Sequence, residues 1–468
     1  MPFYSPPPTP VSFQHTLHSF LQADALPLRE VLTEDQITQA AQAEGLAFGA
    51  GPSDVWSVAL TVWAFLTQVS SAQKSCVAAV ARVLTLLTVL GRGPCHSGSG
   101  AYCKARAKLS ESFLRRLAVD VGNGVEDAAP DSWRWHGRRV LLVDGSTLSM
   151  PDTEANQAAY PQSRKQKPGV GFPLMRWVAL IALSTGCALD SAFGPCRGKE
   201  TGETALFRQM LGTLRAGDVL VADRYYCSYW TVALAKKLGV DVVFRMHQKR
   251  HTDFRRGRRL GRMDHVVDWA KPVRPKWMDE ETYASLPDTL TLREMRGSVG
   301  VAGSRVRRLT VVTTLAEPAN WAKDEVMSLY GSRWNAEVDL RSIKTHMHMD
   351  ILTCKTPEMV RKEIWAHLLA YNLVRGVMAR AARERGVTPR QLSFLGTVQT
   401  LEAFRTLLLA VTEADMPALI RRVLAAVATH RVGNRPGRHE PREVKRRPKP
   451  YKLMTRSRAE GRAALKDE

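Results

Sequence analysis

The chain has 468 residues, 44% of them hydrophobic, so it is long enough for one large core with additional modules. Its basic residues exceed its acidic residues by 22 and its pI is about 10.0, which favours a polyanionic partner such as a nucleic acid. Polar interruptions of the most apolar region, residues 55–90, argue against a membrane span, and seven scattered cysteines without a CxxC pair argue against a structural zinc site.

Residues 1–130 are predicted to form a helical N-terminal region. Within it, the segment AYCKARAKLSESFLRRLAVDVG at 101–122 reads as a helix rich in basic residues. We expect this helix to lie along or in DNA, with Lys104 and Arg106 among its contacts. The alternative is an ordinary amphipathic helix with solvated basic side chains.

Residues 131–245 are predicted to form the first part of an α/β core. Three strand-like runs followed by alternating helices and strands indicate a mixed sheet flanked by helices. Asp144 and Asp223 each close a short Val/Leu run typical of a strand buried on both faces, so each carboxylate should lie at the carboxyl edge of the sheet. For either aspartate alone, a turn or helix-capping role is the alternative.

Two loops of this core carry charged residues. The loop at 151–173 is long for a connection inside a compact core, and such loops are usually functional or disordered. It has three basic residues that we assign to substrate DNA, namely Arg164, Lys165 and Lys167. In the loop at 194–204, capping of the following helix is the expected role of Glu200 and Glu203.

The helix and strand rhythm breaks at residues 246–306, where short β-like runs alternate with many basic residues. This segment is far longer than one connection requires, so we predict an inserted β-rich subdomain. The core is expected to resume at 307–385. Two further helices at 386–430 and a flexible, polyanion-binding tail at 431–468 are expected to follow.

One stretch of the second core segment, YGSRWNAEVDLRSIK, combines four chemically useful side chains. Tyr330, Arg333, Glu337 and Lys344 are separated by three, four and seven residues, which on one helix brings them within roughly a 60° sector. The carboxylate can bind a hard cation, while the arginine and lysine can bind phosphate oxygens. The spacing therefore suits chemistry on a phosphodiester, although a solvated helix face with ordinary ion pairs is the alternative.

On these residues the chain resembles the DDE transposases of the insertion sequence four type, whose signature is Y-x2-R-x3-E-x6-K. The quartet matches the signature, Asp144 and Asp223 fall on the first two carboxylates of the triad, and the likeness runs from about residue 140 to 372. The resemblance implies an RNase H-like catalytic core, an N-terminal segment that recognises terminal repeats and a β-rich insertion that contacts flanking DNA. In some members a tryptophan of the insertion accepts an extruded base. Candidates for this role are Trp269, Trp277 and Trp321, for which core packing is the alternative.

The sequence thus predicts a DNA-cutting and DNA-joining enzyme of a mobile element. Asp144, Asp223 and Glu337 would hold two Mg²⁺ ions, with Mn²⁺ as a possible substitute. The predicted partners are double-stranded DNA, as terminal inverted repeats and target, and a second copy of the chain. The predicted location is the bacterial cytoplasm, at the nucleoid and away from membranes. The alternatives are a nuclease that never joins strands and an idle protein that only binds repeats.

Overall fold

The structure is a computed structural model of the whole chain. It describes residues 32–51, 54–71, 73–89, 96–299, 307–410, 415–433 and 454–464. Most of the tail predicted at 431–468 lies outside the described residues.

The N-terminal region is helical, as predicted. Its described helices are α1 (Glu34–Ala43), α2 (Val58–Ser70), α3 (Cys76–Val89), α4 (Gly100–Lys108) and α5 (Glu111–Asp127). Ser57 and Ser110 cap α2 and α5, since their hydroxyls accept hydrogen bonds from backbone N–H groups of the first turn. Nearly every residue of α2 is buried, so this apolar segment is a core helix.

The strands of the described chain form one mixed sheet. They are β1 (Val140–Ser149), β2 (Leu174–Ala182), β3 (Ala188–Pro195), β4 (Val219–Ala222), β5 (Asp241–Arg245), β6 (Arg258–Gly261), β7 (Asp264–Ala270), β8 (Thr289–Val299) and β9 (Arg307–Thr313). Their order across the sheet is β3-β2-β1-β4-β5-β9-β8-β7-β6. Strands β1, β4 and β5 run parallel, while β2 and β3 form the antiparallel meander. This arrangement of the first five strands confirms the predicted RNase H-like mixed sheet.

Strand β1 differs from the prediction in where it ends. The Val/Leu run was expected to stop at Asp144, but β1 continues to Ser149 because its antiparallel pairing with β2 persists to Ser149 and Leu174. The parallel pairing with β4 ends earlier, at Val143 and Ala222. Asp144 therefore lies where β1 loses its β4 neighbour, which still exposes the carboxylate at the carboxyl edge of the parallel strands.

The segment predicted as an insertion extends this sheet. Strands β6, β7 and β8 pair in antiparallel order, and β9 joins β8 to β5. A short helix, α9 (Glu280–Ser285), connects β7 to β8. The strands of this predicted β-rich segment thus belong to the same sheet as β1 to β5 and do not form a second sheet.

Helices cover both faces of the sheet. Those after β1 are α6 (Glu154–Ala159), α7 (Glu203–Arg208), α8 (Tyr229–Lys237), α10 (Lys323–Gly331), α11 (Trp334–Arg341), α12 (Pro357–Glu384), α13 (Phe394–Ala410), α14 (Met416–Thr429) and α15 (Arg458–Ala464). The long α12 packs along α5, and its buried Asn372 amide bonds the backbone of Ala118 on α5 and of Ala188 on β3. One side chain thereby joins the N-terminal helices to the core.

Candidate active site

The first two predicted carboxylates emerge side by side from the sheet. Asp144 directly follows Val143, and Asp223 directly follows Ala222, which is the β4 partner of Val143. Neighbouring strands lie about 4.8 Å apart, so the two carboxylates are within reach of a shared ligand. The Asp144 side chain is only 19% exposed, and its Oδ1 accepts a hydrogen bond from the Gly145 backbone N–H at 2.9 Å.

The predicted quartet does not lie on one continuous helix. α10 ends at Gly331, α11 begins at Trp334, and a π-helical turn spans Ser342–His346, so Arg333 occupies the junction and Lys344 the π turn. The single-helix prediction was therefore wrong in its detail. The break leaves Arg333 between two carboxylates from distant parts of the chain.

Arg333 connects the sheet to α11. Its Nη1 lies 3.5 Å from Asp144 Oδ2, and its Nη2 donates to Glu337 Oε1 at 2.6 Å. The Arg333 and Asp144 side chains are 17% and 19% exposed, so this pair is shielded from water, whereas Glu337 is partly exposed. The guanidinium thus brings the first and third predicted carboxylates to the same edge of the sheet.

Tyr330 and Lys344 flank this pair. Burial of Tyr330, together with the charge of Asp223, raises its pKa to about 12, although the Arg333 guanidinium opposes the rise. The phenol is therefore neutral at physiological pH and can donate a hydrogen bond. Lys344 Nζ donates to Ser146 Oγ at 3.0 Å and to the Thr147 carbonyl at 2.9 Å, which anchors the π turn on β1 beyond Asp144.

The electrostatics of Asp144 reflect a shortage of positive charge. Burial, together with the nearby carboxylates of Glu337 and Glu203, raises its pKa from 3.8 to about 6. The Gly145 N–H and the Arg333 guanidinium oppose this rise. A carboxylate in such surroundings is stabilised in its charged form by an additional cation.

The donor set suits a hard divalent cation. Among the described residues, no three acidic, histidine or cysteine side chains are positioned to hold a metal ion as they stand. At this edge Arg333 lies between Asp144 and Glu337 instead. Carboxylate oxygens are the ligands that Mg²⁺ prefers, and the raised pKa of Asp144 marks the charge that a cation would neutralise.

A further acidic residue at this edge, Glu203, had been predicted from the sequence to have a helix-capping role. Glu203 was expected to help cap α7, but Gly202 occupies the N-cap position and no side chain caps this helix. The Glu203 carboxyl carbon instead lies 2.6 Å from where a Cβ on residue 145 would be. Burial, followed by the charge of Asp223, raises the pKa of Glu203. The capping prediction was wrong because the tertiary contact with β1 directs the side chain to the sheet edge.

The predicted DNA-binding residues are placed differently from one another. Arg164, Lys165 and Lys167 are exposed on the loop after β1, which Gln162 holds in shape through hydrogen bonds to the backbone of Lys167 and Gly169. Lys104 is also exposed.

Arg106 has a structural environment that its position in the sequence did not reveal. Its guanidinium is buried between α4 and α2, donates to Gln68 Oε1 at 2.9 Å and lies over the rings of Phe65 and Tyr102. An arginine in this position cannot contact DNA without leaving the helical core. The structure therefore corrects the proposed DNA contact at Arg106.

The three candidate tryptophans have packing partners. Trp269 is buried, donates its indole N–H to Glu294 at 3.0 Å and has the Arg250 guanidinium over its ring. Trp321 is partly buried and stacks on Trp135 with ring centroids 4.9 Å apart. Trp277 is partly buried beneath the Arg208 guanidinium, 3.8 Å away. These contacts agree with the packing alternative, and a base-stacking role stays a prediction.

In the described part of the chain, no helix combines the length and apolar character that crossing a bilayer requires.

Comparison with known proteins identifies the family. The Transposase DDE domain family matches residues 135–373, just over half of the chain. Over 358 residues the chain is 27% identical to Transposase InsG for insertion sequence element IS4 of Escherichia coli (strain K12), covering 75% of this chain and 77% of that protein. It is also similar to the piggyBac transposase in a cryo-EM synaptic complex with hairpin DNA, with a TM-score of 0.39, 10% identity and coverage of 87% and 85%. The chain therefore belongs to the DDE transposases of the insertion sequence four type, and its function is DNA transposition.

Proposed function

We propose that Asp144, Asp223 and Glu337 are the catalytic carboxylates and hold two Mg²⁺ ions, which Mn²⁺ can replace. The proposal rests chiefly on Arg333, whose guanidinium gathers Asp144 of β1 and Glu337 of α11 at the edge where Asp223 emerges. When bound, the cations supply Lewis acidity to the scissile phosphodiester and to the attacking hydroxyl.

The side chains around the carboxylates would bind and orient the DNA. Arg333, which pairs with Asp144 and Glu337 in this structure, would present its two-pronged donor set to a phosphate of the bound DNA. Lys344 supplies a second positive charge from a position fixed by β1. Tyr330 donates a hydrogen bond as a neutral phenol, and its high pKa makes it unsuitable as a nucleophile.

The reaction would consist of two displacements at phosphorus. Water first attacks the phosphodiester at the element end, which breaks the P–O3′ bond and leaves a 3′-hydroxyl. That hydroxyl then attacks a target phosphodiester, and the displaced target 3′-oxygen leaves with a proton. Neither step requires a covalent bond to the protein.

Binding of the duplex would use the exposed basic residues of the loop at 151–173, namely Arg164, Lys165 and Lys167, together with Lys104. The terminal inverted repeats and the target are the proposed DNA partners, and a homodimer would bridge two element ends. The cytoplasmic, nucleoid-associated location remains part of this proposal.

The test is cleavage of duplexes that carry the element's own ends, taken from the DNA that flanks its gene. We expect the wild type to release 3′-hydroxyl ends with Mg²⁺ or Mn²⁺. Asp144→Asn and Glu337→Ala should bind the same DNA but cut it about 10³-fold more slowly, since several kcal/mol of transition-state stabilisation are lost. Glu281→Gln, on the exposed surface of α9, is the matched control and should cut normally.

Three results would contradict parts of the proposal. If Glu337→Ala cuts as fast as the wild type, the catalytic assignment is wrong. Cleavage without any product joined to target DNA would indicate a nuclease that lacks strand transfer. If the wild type binds the ends and never cuts with either metal, the protein is an idle repeat-binding member of its family.

A further inference from the structure

A second glutamate reaches the catalytic edge from the opposite face of the sheet. Leu206 and Phe207 of α7 pack in the same apolar cluster as Leu141 and Val143 of β1. Glu203 begins this helix and lies against Gly145, so a side chain at residue 145 would collide with its carboxyl group. The glycine after Asp144 thus keeps a space that Glu203 fills.

Glu337 approaches from the other face. The helices that carry it, α10 and α11, pack through Tyr330 and Ala336 against Val140 and Leu142, the alternate residues of β1. The edge therefore has a carboxylate-bearing helix on each face of β1. Asp144 lies between Glu203 and Glu337, and the charges of both act on it.

A buried hydroxyl, that of Tyr226, lies beside these carboxylates. Tyr226 is 1% exposed, and among the described residues its hydroxyl makes no hydrogen bond of good geometry, although it lies close enough to Glu203 to lower the pKa of that carboxyl group as a donor. Burial is the main cause of the raised pKa of Tyr226, and the negative charges of Glu203, Asp144 and Asp223 also raise it, so the ring lies within electrostatic range of the three. Buried donors are rarely left unsatisfied, and a rearranged Glu203 or the water shell of a cation would satisfy this one.

Resting on the proposed function, we propose that Glu203 is a fourth carboxylate ligand of the catalytic cation site, and that Tyr226 is the positioning residue that orients it. Charge balance supports this assignment. Two divalent cations carry four positive charges, while Asp144, Asp223 and Glu337 supply three negative ones. Glu203 supplies the fourth from a helix on the face of β1 opposite to the helices that carry Glu337.

The test measures Mn²⁺ binding to the full-length protein without DNA, by isothermal titration calorimetry. We expect Glu203→Gln, which keeps the shape and removes the charge, to weaken Mn²⁺ binding about tenfold or more. Tyr226→Phe should weaken it by a smaller factor, since the carboxylate remains but loses its donor. Glu200→Gln is the control three residues away, because Glu200 pairs with Arg208 and should leave the affinity unchanged.

Melting temperatures and a second variant keep the inference testable if Glu203→Gln folds poorly. Mn²⁺ should raise the melting temperature of the wild type more than that of Glu203→Gln. Glu203→Asp retains the charge and shortens the reach, so its affinity should be intermediate. Wild-type Mn²⁺ affinity in Glu203→Gln, or in Glu203→Asp should the first variant not fold, overturns the inference. Wild-type affinity in Tyr226→Phe overturns the role given to Tyr226.

The two proposals can fail separately. If Asp144→Asn loses both Mn²⁺ binding and cleavage while Glu203→Gln binds Mn²⁺ like the wild type, Glu203 is a structural neighbour and the triad stands. If Asp144→Asn cuts DNA like the wild type, the proposed function itself is wrong.

Discussion

The amino and carboxyl ends of strands β1 and β4 differ in how their flanking charges are paired. At their amino ends, Arg139 precedes β1 and Asp218 precedes β4, and the two side chains form a buried bidentate pair at 2.9 and 2.7 Å. At their carboxyl ends, both flanking residues, Asp144 and Asp223, are acidic. At the amino ends each charged side chain is paired with one of opposite charge. At the carboxyl ends Asp144 pairs with Arg333, which also pairs with a further acid, Glu337.

The difference shows where this fold leaves charge uncompensated. The chain has a net charge of +22, yet Asp144 and Glu337 at this edge share a single guanidinium, that of Arg333. The same contrast exists within α11, where Asp339 is fully buried and bonded to Arg375 and Arg390, while Glu337 is partly exposed. The buried acids Asp218 and Asp339 thus have their own guanidinium partners, whereas Asp144 and Glu337 share Arg333.

Breaking the pair at the amino ends should produce the largest effect on stability. Arg139→Met leaves Asp218 buried without its counter-charge, which costs about 3–5 kcal/mol of unfolding free energy. Chemical denaturation monitored by circular dichroism would show the midpoint fall. Arg255→Met removes a surface arginine that also pairs with an aspartate, and should leave the midpoint unchanged. Equal midpoints for both variants would contradict the contrast between the two ends.

Removing the negative charge of Asp144 at the carboxyl end should instead increase the free energy of unfolding. The pKa of Asp144 is raised to about 6 in the folded protein, so its protonated form is favoured there. The stability it contributes is fully present below pH 4 and is lost as pH rises to about 6, a difference of about 3 kcal/mol. In metal-free buffer, Asp144→Asn should therefore gain stability relative to the wild type across this window.

Denaturation midpoints of both proteins between pH 4 and 7, with chelator present, measure this effect. Glu281→Gln serves again as the exposed control and should run parallel to the wild type. A constant difference between Asp144→Asn and the wild type across the window would show that Asp144 is not destabilised by its surroundings.

The sequence predicted the part of the site that depends on local pattern. The Val/Leu runs before Asp144 and Asp223 predicted buried strands, and β3 has the predicted residues, Ala188–Pro195. The RNase H-like arrangement and the family are confirmed. The spacing placed Tyr330, Arg333 and Glu337 near one another, because i+3 and i+4 neighbours stay close even across a short break.

The rest depends on tertiary contacts that periodicity does not encode. Arg106 has the same local pattern as the exposed Lys104, and only the approach of Gln68 and Phe65 buries it. In the sequence Glu203 has the pattern of a first-turn helix residue, and only its contact with Gly145 places it at the proposed catalytic edge. The roles of the site residues stay predictions until the variants are measured.

The smallest expected effect concerns how DNA reaches the acidic edge. The loop with Lys165 and Lys167 follows the carboxyl end of β1, whereas Lys236 and Lys237 end α8, which returns the chain to the amino ends of the parallel strands. All four lysines are exposed, so the two pairs match in both charge and exposure. If DNA binds over the acidic edge, its phosphates contact only the first pair.

Equilibrium binding of an element-end duplex between 50 and 200 mM salt distinguishes the pairs. Changing Lys165 and Lys167 to Gln should reduce the slope of log affinity against log salt by about two, since each phosphate contact contributes about 0.9. The same change at Lys236 and Lys237 should leave the slope as it is. Equal losses from both pairs would mean that the positive surface attracts DNA without orienting it, and that the acids and Arg333 alone select the scissile edge.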